Sequence, residues 1–222
     1  MLFSSNIACE NRASRMDYVY DKYKDILTKT VLDVGADECH LKKLLNKDVE
    51  YTGVGIGSNN ENLINFDLES GPLPFSNQQF HSVLCLDVLE HVENIHQTFD
   101  ELLRVSSQYV IISLPNVYAS LWDLFMFGRY NEKKLIKFYG LSKERETDRH
   151  KWFFSPSEAT EFIEYRAELQ KFKVLQFDSQ KITRGRKRDF YSFIIRKLMG
   201  EHSNLIDFDT RTLWWVLARQ TQ

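Results

Sequence analysis

Two kinds of apolar pattern take turns along this chain, and their order predicts an α/β fold. Met16, Val19, Tyr20, Tyr23, Ile26 and Leu27 recur at helical spacing, predicting a helix over 12–28. Short β-branched and aromatic runs predict strands over 31–34, 50–55, 62–66, 80–86 and 108–114. Helical spacing returns over 39–46, with Leu41, Leu44 and Leu45, and again over 95–105. Pro115 and Asn116 stop the fifth strand, and the aromatic-rich stretch 117–140 reads as part of a helical cap inserted at about 116–155. Ser155, Pro156 and Glu158 form a helix-start signal in which Ser155 caps, Pro156 takes the first helical position and Glu158 closes a capping box; that helix runs to about 170. FKVLQF and TLWWVLAR supply the last two strands, with a helix near 189–199 between them. Seven strands alternating with helices predict a doubly wound, mostly parallel sheet with helices on both faces.

Composition narrows the picture modestly. A chain of 222 residues, 43% hydrophobic and 27% charged, suits one large soluble domain spanning 1–222. A formal net charge of −2 gives no general attraction to nucleic acid or to an anionic membrane. Cys9, Cys39 and Cys85 lack metal-ligand spacing, which fits a reducing, cytoplasmic setting. Neither a leader-like start nor a membrane-length apolar run is present in the sequence. Lys181, Arg184, Arg186, Lys187 and Arg188 precede an apolar segment, DFYSFIIRKLM, and read either as an anion-holding or membrane-touching pair or as a solvated loop before a packing helix. Nucleic acid is disfavoured as a partner, because no aromatic stacking pattern interleaves those cations.

Two stretches carry chemistry: VLDVGADECHLKKLL at 31–45 and PLPFSNQQFHSVLCLDVLEHV at 72–92. The first is a strand ending at a glycine loop that opens a helix, an arrangement suited to a nucleotide-type ligand. The second, with its PLPF turn, strand and LEH triplet, resembles the fourth-strand region of the Rossmann-like class I S-adenosylmethionine-dependent methyltransferases, and the later stretch PNVYASLWDLF…HKWFFSPSEATEFI resembles MetW-like and cell-surface-glycan members. That resemblance implies S-adenosylmethionine as cofactor and S-adenosylhomocysteine as product. It implies Asp33, Gly35 and Ala36 at the methionine end, Asp67 with Leu68 at the adenine, and Leu86 with Asp87 lining cofactor and acceptor entrance. The implied acceptor is a hydroxyl or related nucleophile of a small molecule or glycan; a protein partner or homodimer stays open.

The chain departs from the family pattern at four positions. Where the family's loop reads D-x-G-x-G-x-G, Asp37 and Cys39 stand at the second and third glycines; Gly55 replaces the acid that grips the ribose hydroxyls, and His81 replaces an aspartate. A Cβ in a glycine position strains the loop by roughly 1–3 kcal/mol or fills ligand space. The alternative implied is a degenerate relative with weak or no cofactor binding, acting as a binding or scaffold protein. A dehydrogenase is disfavoured because G-x-G-x-x-G spacing and its downstream acid are absent.

Methyl transfer requires an aligned acceptor and, for a hydroxyl, removal of a proton. Asp87, Glu90 and His91 are spaced i, i+3, i+4 and share a face if helical, as a base cluster or a hard-metal site. The pattern resembles the metal-binding triplet of ubiquinone-pathway O-methyltransferases and small-RNA 3′-end methyltransferases, with Asp87 in place of a glutamate. The plain reading is a helix turn whose acids complement the dipole. His150, beside Trp152, Phe153 and Phe154, suits the lip of a pocket or a surface position.

Overall fold

The computed structural model describes residues 2–5, 12–57, 61, 63–119, 121, 143–145, 148–181, 190–191, 193–194, 197–198 and 210–220. Its strands are β1 (Leu2–Ser5), β2 (Thr30–Val34), β3 (Glu50–Gly55), β4 (Leu63–Asn65), β5 (Phe80–Leu86), β6 (Ser106–Pro115), β7 (Phe172–Lys181) and β8 (Thr210–Arg219). They form one sheet in the order β1-β7-β8-β6-β5-β2-β3-β4. Only β8 runs antiparallel, to both β6 and β7; the other pairings are parallel. All seven expected strands are present. The eighth, β1, adds to the outer edge of β7, and its four residues LFSS are too short to show an alternating pattern.

Side-chain alternation sends successive residues of each strand to opposite layers. Val31, Leu84, Ile111, Trp214 and Val216 pack against helix α1 (Arg12–Tyr23) through Val19 and Tyr23. Leu32, Val83, Cys85, Ile112, Trp215 and Leu217 pack on the other side against α2 (Ile95–Val105) and α3 (Pro156–Leu169). Covered on both faces, the central strands read as near-continuous apolar runs rather than as alternations. The α3 start is the expected capping box: the Glu158 amide donates to Ser155 Oγ at 3.1 Å, and the Ser155 amide donates to Glu158 Oε2 at 2.7 Å.

The helix expected over 39–46 is instead a 3-10 turn, His40–Lys43. Its cap position, Cys39, is left-handed (φ 52°, ψ 40°) and makes no capping hydrogen bond, and within the turn only Leu41 is buried. Without a cap or a full apolar stripe, one turn has little to propagate it. The aromatic cap lies mostly outside the described residues, as does most of the basic run and of the helix expected near 189–199.

Helix α1 straps across the sheet. The Tyr23 hydroxyl donates to Asp178 Oδ2 at 2.7 Å, Lys22 Nζ lies 2.5 Å from Asp178 Oδ1, and Arg15 pairs with Asp87 beyond the end of β5. The loops after β2, β3, β4 and β5 gather at the carboxyl edge of the parallel strands, where open α/β sheets place their ligands.

Candidate active site

The loop after β2 passes through the left-handed region at three positions, two of them not glycine. Gly35, Asp37 and Cys39 have φ of 81°, 33° and 52°. The Gly35 and Ala36 amides both donate to the Val54 carbonyl, at 2.7 and 3.1 Å, and the Cys39 amide donates to the Ala36 carbonyl at 2.6 Å. Asp37 and Cys39 therefore sit strained in the left-handed region, with Cys39 buried.

Asp33, at 2% exposure, accepts a 2.9 Å hydrogen bond on Oδ2 from the Tyr51 hydroxyl of β3. Burial raises its pKa to about 6 from an ordinary 3.8, with the Tyr51 hydrogen bond working in the opposite direction. Because the folded pKa lies above the unfolded one, this stability contribution is present below pH 3.8 and lost as pH rises through about 6. Above that window the buried charge costs on the order of 3 kcal/mol. Asp33→Asn is therefore expected to stabilise the protein at pH 7.5 by about 1–3 kcal/mol and to flatten stability between pH 4 and 6. Urea unfolding across that pH range measures both.

The other positions that the family resemblance assigns to the nucleoside end lie on the same edge. Gly55 ends β3 with a non-positive φ, and a Cβ there would meet the Ala36 amide nitrogen and the Leu63 methyls at 3.7 Å, ordinary contact distance. Ile56 is 69% exposed just beyond it. Asp67 is exposed, with Oδ1 accepting from the Glu69 amide at 2.9 Å, and Leu68 is half-buried against the core. Leu86, the last residue of β5, is buried on the α1 side.

After β5 the chain makes a 3-10 turn, Leu89–His91, and the geometry separates Asp87 from the other acid–base residues. Asp87 is left-handed (φ 53°), a conformation its short polar side chain tolerates. Its Oδ1 accepts from the Ser113 hydroxyl at 2.6 Å and its Oδ2 from Arg15. Glu90, His91 and His150 come together instead, each with a ligand atom within 4.8 Å of the others. Glu90 Oε1 lies 3.8 Å from His91 Nε2 and 3.9 Å from His150 Nε2. Asp148 Oδ1 lies 2.8 Å from His91 Nδ1, an ion pair when the imidazole is protonated, while His91 Nε2 is the ring nitrogen nearer Glu90.

Glu90 is 1% exposed, and its Oε2 is buried without a hydrogen-bond partner. Burial, reinforced by the Asp87 charge, holds its carboxyl well above the usual range. His150 arrives from 59 positions downstream because the Lys151 amide donates to the Glu90 carbonyl at 2.8 Å and Trp152 Nε1 donates to the Val92 carbonyl at 2.7 Å. Sequence reasoning placed Glu90 in the triplet and His150 near a pocket. It missed Arg15, Ser113 and Tyr51, and the pairing of Asp148 with His91, none of which has a local spacing signal.

A sheet of this order, with one antiparallel strand inserted beside the parallel set and ligand loops at its carboxyl edge, is the fold of the class I S-adenosylmethionine-dependent methyltransferases. The family described as a methyltransferase domain matches residues 32–112. No curated protein matches the sequence. Among solved structures, the chain is similar to a SAM-dependent methyltransferase from Archaeoglobus fulgidus, with a TM-score of 0.58 and 15% identity over 94% of this chain and 95% of that one. It is similar to magnesium protoporphyrin IX methyltransferase from Synechocystis PCC 6803 with bound SAH, at 0.55 and 15% over 96% and 90%. The small RNA methyltransferase HEN1 matches with a TM-score of 0.59 and 14% identity over 98% of this chain but 27% of its own.

The cofactor of the class fits the residues present. The backbone after β2 takes positive φ at three positions, Ile56 offers an exposed apolar face, and the Asp67 carboxylate is accessible. Among the described residues, no helix is long and apolar enough to cross a membrane.

Proposed function

We propose that the protein methylates a hydroxyl, or a related nucleophile, of a small-molecule or glycan-type acceptor, using a divalent cation held by Glu90, His91 and His150. The observation that carries this reading is the buried Glu90 carboxyl, whose Oε1 lies within 4 Å of two imidazoles and whose Oε2 has no hydrogen-bond partner. A buried carboxylate oxygen without a partner is costly, and a cation within its reach removes that cost. Ligand separations of 3.8 and 3.9 Å accommodate one ion at about 2.1 Å from each atom. Two imidazoles and one carboxylate suit Mn2+ or Zn2+ better than Mg2+.

Asp33, Gly35 and Ala36 hold the methionine end of the cofactor, Asp67 and Leu68 the adenine, and Leu86 lines the cavity between. Bound there, S-adenosylmethionine supplies an electrophilic methyl group on a sulfonium. The chain's own residues align the acceptor and assist loss of its proton. Glu90, His91 and His150 would hold the cation, which would supply Lewis acidity towards the acceptor hydroxyl, and Asp148 places a carboxylate beside the His91 ring. Asp87 acts as a positioning residue, tying the post-β5 turn to α1 and β6 through Arg15 and Ser113. Supporting one catalytic domain is the single sheet, whose strands span Leu2 to Arg219, and the free thiols of Cys39 and Cys85 support a cytoplasmic setting.

Calorimetric titration of Mn2+ into the full chain with S-adenosylhomocysteine present tests the cation site. One binding event in the micromolar range, lost in His150→Ala and accompanied by chelator-sensitive turnover, is the expected result. Turnover indifferent to chelator, with no Mn2+ binding at millimolar concentration, favours a second reading in which His91, with the Asp148 carboxylate at 2.8 Å, is a metal-free base.

Gly55 offers a gain-of-affinity test of the nucleoside end. The space beside it admits a side chain, and a carboxylate accepting from both ribose hydroxyls contributes about 1.5–3 kcal/mol per charged hydrogen bond before reorganisation. Gly55→Asp is expected to tighten S-adenosylhomocysteine binding roughly tenfold by calorimetry.

A further inference from the structure

A cavity of about 190 Å3 opens between the N-terminal turns of α2 and α3, and its wall residue Trp152 follows His150 by two positions. Ile95, Leu114, Trp152, Phe154 and Phe162 supply its apolar walls. Its two polar wall residues are engaged: Glu158 Oε2 accepts from the Ser155 amide at 2.7 Å, and the His96 ring sits edge-on to Phe162 at 5.2 Å and to Trp152 at 6.1 Å. A dry apolar cavity of about 150 Å3 is large enough to take benzene. This one therefore has room for a six-membered ring or a compact hydrocarbon of similar size.

Its position ties it to the reacting end. Segments 90–92 and 150–152 run side by side, joined by the Lys151 amide to the Glu90 carbonyl and by Trp152 Nε1 to the Val92 carbonyl. One end of that pair presents Glu90 and His150 to the cation site, and the other presents Trp152 to the cavity. Leu114 enters the same wall one residue after Ser113, which holds Asp87. The paired segments therefore place one wall of the cavity two residues from His150.

The geometry points to an acceptor that carries an apolar, ring-sized group, aryl or compact alicyclic, lodged between Trp152 and Phe162 while its hydroxyl meets the cluster. This deepens the acceptor reading and rests on it, narrowing the small-molecule or glycan class to a hydroxylated aromatic or alicyclic compound. Trp152 is a specificity-determining residue on this account. Its indole hydrogen bond to Val92 sets how the ring stacks relative to the cation site.

The test is an alcohol ladder read by saturation-transfer NMR and calorimetry on the full chain with S-adenosylhomocysteine and Mn2+ present. The probes are ethanol, butanol, cyclohexylmethanol, benzyl alcohol and methyl glucoside. Affinity is expected to climb roughly tenfold for every two carbons up to ring size, with methyl glucoside weakest. Ala159→Leu, which narrows the cavity from α3, is expected to cut benzyl alcohol binding at least tenfold while S-adenosylhomocysteine and Mn2+ bind as before. Because that variant can overpack α3, Phe154→Leu serves as the opposite change, expected to shift preference towards a two-ring alcohol. A flat ladder, or tightest binding of methyl glucoside, overturns the proposal even if Mn2+ binds, and leaves the cation reading standing. A steep ladder sensitive to Ala159→Leu supports it even if Mn2+ fails to bind, in which case the cation reading alone falls.

Discussion

Replacing Glu90 by glutamine is expected to lower methyl transfer roughly 100- to 1,000-fold while S-adenosylhomocysteine affinity stays within about twofold. The amide keeps the shape of the carboxyl, so the packing around Leu89 and Val92 has no reason to change. It cannot present a charged oxygen to a cation or stabilise positive charge on the two neighbouring imidazoles. Unfolding in urea separates the effects: a buried acid held well above its usual range by burial is replaced by a neutral group, so stability at neutral pH is expected to hold or rise. Lost turnover with undiminished stability identifies a functional carboxyl. Equal losses in both would show that Glu90 serves packing alone, and unchanged turnover would remove it from the site.

Gly35→Ala is the second large effect. At φ 81° an L side chain sits in the left-handed region, which costs roughly 1–2 kcal/mol. The added methyl would also overlap Cγ2 of Val88 and press on its Cβ at 3.4 Å. Val88 is packed against the main core and cannot swing away without moving the turn that carries Glu90 and His91. The expected outcome is a fall in Tm of several degrees together with at least a tenfold loss of S-adenosylhomocysteine affinity, by calorimetry. Adding Val88→Ala should recover the steric part and leave the backbone part. Full retention of binding in Gly35→Ala would mean that the loop moves on ligation.

Much of this architecture is legible from periodicity. Strand 80–86 and helix 95–105 lie where the apolar pattern puts them, since a doubly covered strand and a strongly amphipathic helix leave little choice of register. The start of α3 is legible for a local reason, because Ser155, Pro156 and Glu158 satisfy one another within four residues. The turn at 40–43 is not, because its outcome depends on a left-handed Cys39 that no spacing reveals. The same holds in the site. The adjacent Glu90 and His91 can be read directly, whereas the turning of Asp87 towards Arg15 follows from a positive φ and from a helix 72 positions earlier. The replaced glycines at 37 and 39 suggest a strained loop, and both replacements do sit at positive φ.

The strand order has a consequence for how the protein is made. β8 lies between β6 and β7, yet it follows both in sequence and leaves the ribosome after them. Until Thr210–Arg219 emerges, β6 and β7 each present an open edge, and Asp178, already joined by Tyr23, waits on a strand with no inner neighbour. Vectorial synthesis therefore builds two half-sheets and joins them at the end, with Trp214 and Trp215 entering opposite cores in one step. Nascent chains stalled before residue 210 would expose both edges, the circumstance in which holding chaperones engage a chain.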